Sequence, residues 1–93
     1  MPFVFVNSVR IENVDQAREA LQTEVIPGVK LAPGFIHGIW SADRGNGRGT
    51  GFVVFKTREQ AEALAQTLAS GEMKPPPGVT VESSAVYELQ SEA

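Results

Sequence analysis

The chain predicts an α+β fold of order βαββαβ: a four-stranded antiparallel sheet with two helices on one face, the ferredoxin-like arrangement. Three observations lead there. Four strand-like stretches and two capped helical stripes alternate in that order along the 93 residues. The strand candidates Phe3-Val4-Phe5-Val6 and Gly51-Phe52-Val53-Val54-Phe55 are apolar throughout instead of alternating, so both faces of their sheet need cover. Two helices cover only one face. A second copy of the chain is the simplest cover for the other, and a homodimer is the expectation.

The first strand spans residues 3–10. Asn13 then reads as a helix N-cap with Gln16 as its reciprocal partner three residues on. Val14, Ala17, Leu21 and Val25 recur at spacings of three and four and form one apolar stripe. Pro27-Gly28 is expected to end this helix, because proline cannot continue the hydrogen-bond ladder. Pro33-Gly34 is a turn, and residues 35–42 are the second strand. The polar, glycine-rich run 43–49 reads as a hairpin loop leading to a third strand at 50–56. Thr57 caps the second helix with Gln60 at the reciprocal position, Ala61, Leu64, Ala65 and Leu68 form its buried stripe, and Gly71 closes it. Pro75-Pro76-Pro77-Gly78 is a stiff connector, and 79–89 is the fourth strand.

The bulk numbers narrow the function classes. Ninety-three residues make a single domain, 1–93, with a small core. A net charge of -3 without a basic stripe argues against a nucleic acid partner. No apolar run is long enough to span a membrane, and Met1-Pro2-Phe3 lacks the features of a secretory signal. The absence of cysteine removes thiolate chemistry and disulfides and fits a cytoplasmic setting. One histidine, no cysteine and scattered carboxylates offer no metal set.

The stretch PGFIHGIW, the glycine-rich loop after it, and GTGFVVFKTREQAEAL resemble the dimeric α/β-barrel superfamily, and within it small stand-alone proteins of the antibiotic-biosynthesis-monooxygenase type. The closing PPPGVTVESSAVYELQ is similar to actinobacterial members without an assigned activity. The resemblance implies a homodimer with two sheets packed face to face and a pocket in each subunit between sheet and helices. Activities known in the superfamily include cofactor-free oxidation of aromatic polyketides, haem degradation, and isomerisation or dehydration of small ring compounds. Haem-degrading members carry an asparagine on the first strand, a histidine on the second helix and a tryptophan on the third strand. Only the asparagine, Asn7, has a match here, which argues against haem degradation.

Four residues are candidates for chemistry. His37 is the only imidazole, the side chain whose ordinary titration falls near neutrality, and it is the candidate catalytic residue, a general base or an orienter of a phenolic substrate. Regular alternation puts it on one face with Phe35 and Ile39 and puts Trp40 opposite; a β-bulge between His37 and Trp40 would unite them. Trp40 could stack on a planar ligand, Asn7 shares a face with Phe3 and Phe5, and Tyr87 could bring a phenol to a pocket; these three are the candidate ligand-binding residues. The plainer alternatives are a histidine held within the sheet, a core or interface tryptophan, an asparagine bonded to neighbouring backbone, Ser8 or Ser83, and a tyrosine with a wet hydroxyl. The loop 45–49 joins two strands, so it is not a phosphate cradle, although Arg44 and Arg48 could gate the barrel end. The expectation is a cofactor-free monooxygenase-like enzyme acting on an aromatic or polyketide-type substrate. A non-catalytic binding protein for a small apolar ligand and an accessory dimerisation domain are the alternatives.

Overall fold

The computed structural model describes residues 1–93 and has the expected order with one elaboration. Strand β1 (Phe3–Ile11) leads into a first helix built of three stretches: α1 (Val14–Ala20), a π-helical turn (Leu21–Val25) and α2 (Ile26–Lys30). Strands β2 (Phe35–Asp43) and β3 (Arg48–Phe55) form a hairpin. Helix α3 (Arg58–Ser70) and strand β4 (Val79–Glu88) complete the chain. The strands lie in the order β2-β3-β1-β4, and every neighbouring pair is antiparallel.

Pro27 does not end the first helix. It sits at the start of α2, directly after the π-helical turn, where the Ile26 N–H reaches back five residues to the Leu21 carbonyl. A proline in an unbroken α-helix has no N–H to give, and its ring meets the carbonyl four residues before it. The wider π turn relieves that conflict and lets the helix run on to Lys30. At the N-terminus of α1 the Asn13 side chain accepts from the Gln16 N–H at 3.0 Å. The reciprocal pair of bonds forms only at α3, between Thr57 and Gln60. Gly71 closes α3 with φ of 83°, the left-handed conformation that glycine adopts without a steric cost.

Both helices pack on one face of the sheet. Phe5, Val53 and Phe55 project from that face and meet Val29 of α2 and Ala61 and Leu64 of α3. Phe55 is 0% exposed and Phe5 2%. The pairing register puts Val4, Val6, Phe52, Val54, Ala85 and Tyr87 on the opposite face. The apolar character of both faces seen in the sequence is therefore real, but in the single chain only the helix side is layered. Phe52 and Tyr87 remain 40% and 58% exposed.

The helix layer is not uniform. The first helix approaches the sheet through α2, against β2, whereas α3 packs across β1, β3 and β4. The tight core thus gathers at the end of the sheet where β1 starts and β3 finishes. At the other end the sheet and the first helix stand apart.

This packing makes a direct prediction for equilibrium unfolding. Phe55→Ala should destabilise the protein by about 3–5 kcal/mol, the range for emptying a buried phenylalanine site. Leu31→Ala, at a position 86% exposed, should change stability by no more than about 0.5 kcal/mol. Comparable losses at the two positions would contradict this assignment of the core.

Candidate functional site

Where sheet and helix separate lies a cavity of about 410 Å³, within the size range of small-molecule sites. Its walls are mostly apolar: Val9 and Ile11 from β1, Val14 and Leu21 from the first helix, Leu68 from α3, and Val79 and Val81 from β4. Leu21 and Val25 both face it from the π-helical turn. The turn accommodates Pro27 while keeping these two side chains, four residues apart, on the helix face that any regular helix would give them. Pro75 and Pro76 of the connector close one side.

The floor is built around Trp40. In the β2–β3 pairing Trp40 lies opposite Gly51, and Asn7 lies opposite Gly51 on the other side. A Cβ added at Gly38 would come within 2.6 Å of Trp40 Cη2. One added at Gly51 would come within 2.6 Å of Asn7 Oδ1 and 3.1 Å of Trp40 Nε1. The indole therefore lies flat along the sheet over two glycines, and the missing side chains are what permit it. Asn7 and Trp40 both line the cavity. Neither the Asn7 amide nor the Trp40 N–H has a hydrogen-bond partner in the protein, and neither is sealed from solvent. The expected alternative for Asn7, a bond to backbone, Ser8 or Ser83, does not form. Ser84, not Ser83, is its neighbour on β4, and Ser83 pairs with Ser8.

His37 and Tyr87 stand elsewhere. The register of β2 against β3 shifts between Phe35 and His37, so a bulge at Ile36 turns Phe35 toward the helices and leaves His37 on the opposite face with Ile39. His37 does not share a face with Phe35, contrary to regular alternation. Because the bulge precedes His37, it leaves His37 and Trp40 on opposite faces instead of uniting them. His37 does not line the cavity. Its side chain is 48% exposed, and its Nε2 lies 3.8 Å from Glu92 Oε1, too far for a hydrogen bond. Tyr87 projects from the same outer face, opposite Val4. The four candidates thus divide into Asn7 with Trp40 in the cavity and His37 with Tyr87 across the sheet, where no single ligand in one subunit meets both pairs. A general-base role for His37 in this cavity is dropped on that geometry.

The mouth carries charge, of which the sequence singled out only Arg44. Arg18, Arg44 and Lys74 line it. Arg44 donates to Asp15 Oδ1 at 2.6 Å, tying the β2–β3 loop to the first turn of α1. The loop itself is shaped by Asp43, which accepts from the Gly45 N–H, and by Asn46, which accepts from the Arg48 N–H. The hydrogen bond and charge of Arg44 hold the Asp15 carboxyl below the usual carboxylate range, and Arg18 adds to the effect. Arg48 belongs to the other face, so of the two loop arginines only Arg44 borders the cavity. Sequence signals for the floor did exist: an isolated glycine within a strand marks a close approach, and Gly38 and Gly51 flank Trp40. For Arg18 and Lys74 there was no such signal, because they lie far from Arg44 and from each other in the chain.

No group of three or more histidine, cysteine, aspartate or glutamate side chains is placed to hold a metal ion. No helix is long and apolar enough to cross a membrane. No protein-family model and no curated protein matches the chain.

Two predictions follow from this geometry. Gly51→Ala places a methyl group against Asn7 and Trp40 and should cost about 1–3 kcal/mol, as overpacking does, while shifting the emission of the single tryptophan. An unchanged spectrum would mean that the indole does not rest on Gly51. The Asp15–Arg44 contact should be pH-dependent. A carboxyl held low in the folded state contributes its full stabilisation above its ordinary range and loses it as pH falls through the lowered value. The Arg44 side-chain resonances should therefore move only in acid, and in Asp15→Asn they should be insensitive to pH over the same window.

Proposed function

We propose that this chain is a homodimeric small-molecule protein of the antibiotic-biosynthesis-monooxygenase-like type within the dimeric α/β-barrel superfamily, acting in the cytoplasm on a planar aromatic or polyketide-type ligand. The observation that carries the ligand class is the floor of the cavity. A flat indole with an open face offers stacking to a ring, and the Asn7 amide and the Trp40 N–H beside it offer hydrogen bonds to a carbonyl or hydroxyl on that ring. Apolar walls with a few convergent polar groups are the usual composition of such sites.

Cofactor-free oxidation of the bound aromatic by dioxygen is the catalytic form of this reading, favoured by the convergence of Asn7 and Trp40 on one cavity. Simple binding without turnover is the other form. The dimer rests on the apolar outer face. Val4, Val6, Ile39 and Phe52 share that face, with Ile39 58% and Phe52 40% exposed, and exposed apolar side chains grouped in this way mark an interface. In this assembly His37 and Tyr87 belong to the sheet–sheet interface and not to the ligand.

The test uses the single tryptophan, which gives one indole N–H resonance. Titration with 1-naphthol should move that resonance saturably, and in Trp40→Leu, which has no indole and is therefore followed by calorimetry, binding should weaken about tenfold, the loss of one stacking contact. A resonance that stays fixed at saturating ligand would refute the aromatic site. Light scattering should give twice the chain mass of 10.0 kDa, and Phe52→Asp should return it to one chain.

A further inference from the structure

We propose that the cavity selects a ring compound bearing an acidic group, held with its ring over Trp40 and its carboxylate at the mouth; this rests on the aromatic site proposed above. The protein has 11 acidic and 8 basic residues and a net charge of -3, so an arbitrary patch of its surface should be acidic. The cavity reverses that sign. Three of the basic residues, Arg18, Arg44 and Lys74, line it, and no aspartate or glutamate does. Asp15, beside the lining residue Val14, is engaged by Arg44. Arg18 and Lys74 form no ion pair. They come from α1 and from the connector before β4, separated by most of the chain, and the fold brings both to the same opening.

The physical consequence is a division of the site by depth. The interior is mostly apolar and its polar side chains are all neutral: Asn7 and Trp40 at the floor, and Ser41 and Thr50, whose hydroxyls bond each other. A carboxylate placed there would lose its hydration with no cation to replace it, which is prohibitive. At the mouth the same carboxylate stays partly hydrated and lies among cations whose field is strengthened by the adjoining apolar walls. An uncharged ring system leaves those cations unused. A cationic one meets them as repulsion. The molecule that matches every part is amphipathic: a planar ring body, a hydrogen-bonding group over Asn7 and Trp40, and an anionic end.

Three ligands with one ring system separate the terms: 2-naphthoate, 2-naphthalenemethanol and 2-naphthylmethylamine, measured on the intact protein by calorimetry and by the Trp40 indole resonance at low and high salt. At low salt naphthoate should bind roughly fivefold or more tighter than the alcohol, as expected for two partly exposed cations, and the amine weakest, with the gap closing as salt rises. In Arg18→Gln/Lys74→Gln, whose fold is checked by its circular dichroism and thermal midpoint, the naphthoate-to-alcohol ratio should fall toward one. Equal binding of acid and alcohol to the wild-type protein would overturn the acid preference while leaving the aromatic site standing. A ratio unchanged in the double variant would overturn the assignment to Arg18 and Lys74. If none of the three ligands moves the indole resonance, both the acid preference and the aromatic site fall.

Discussion

The structure depends on where the helices meet the sheet. Phe5, Val53 and Phe55 lock against Val29, Ala61 and Leu64 at one end, and this contact fixes the position of both helices. With that end closed, the first helix can diverge from the sheet toward its N-terminus without loss of the core. Close packing makes this possible because a filled core is rigid and transmits orientation. The cavity is thus not a defect in packing. It is the space left when one end of a two-layer sandwich is closed and the other is held open. The Arg44–Asp15 contact spans that open end and joins the β2–β3 loop to α1. It is an exposed pair, suited to setting position more than to adding stability.

Much of this architecture is legible in the residues. Strand order, both helix caps and the uninterrupted apolar strands are local properties, and local chemistry specifies them: Thr57 and Gln60 form their reciprocal bonds wherever that helix packs. Alternation places Asn7 with Phe3 and Phe5 and Trp40 opposite His37, but only the strand register, with Gly51 between them, brings Asn7 and Trp40 to one face. The failures have a common cause. The extra residue at Ile36 and the π turn at 21–25 each change a period by one residue, and a one-residue change moves every later side chain. The sequence around Pro27 contains the reason for the π turn, but the usual rule says that proline stops a helix, and here the helix widens instead. Beyond Arg44, the cationic mouth was illegible for another reason: it is assembled from three segments, and only the fold brings them together.

The glycines of the sheet show how sequence and site are linked. Gly38 and Gly51 weaken their strands, since glycine costs more backbone entropy to order and contributes no packing. At both positions the space of a side chain is taken by the Trp40 ring. A large aromatic side chain on a strand normally stands up from the sheet and fills the core. Here it lies down, and the volume it would have filled is part of the cavity. Local stability is exchanged for an open aromatic surface, a pattern that binding sites show more often than cores do.

The inventory of the cavity also limits its chemistry. Its titratable side chains are two arginines and a lysine at the mouth, with Asn7 and Trp40 inside, and His37 lies across the sheet. No side chain within the cavity therefore accepts a proton readily near neutral pH. Any proton lost by a bound ring compound must leave by way of water or because the ring is itself acidic. Asn7 and Trp40 would serve that second case, since a hydrogen bond from an amide or an indole strengthens as the oxygen it meets gains negative charge. Phenols and enolisable ketones have such oxygens and saturated hydrocarbons do not. The same two residues that would orient a ring thus favour a class of rings whose oxygen can carry charge, and the cations at the mouth act in the same direction.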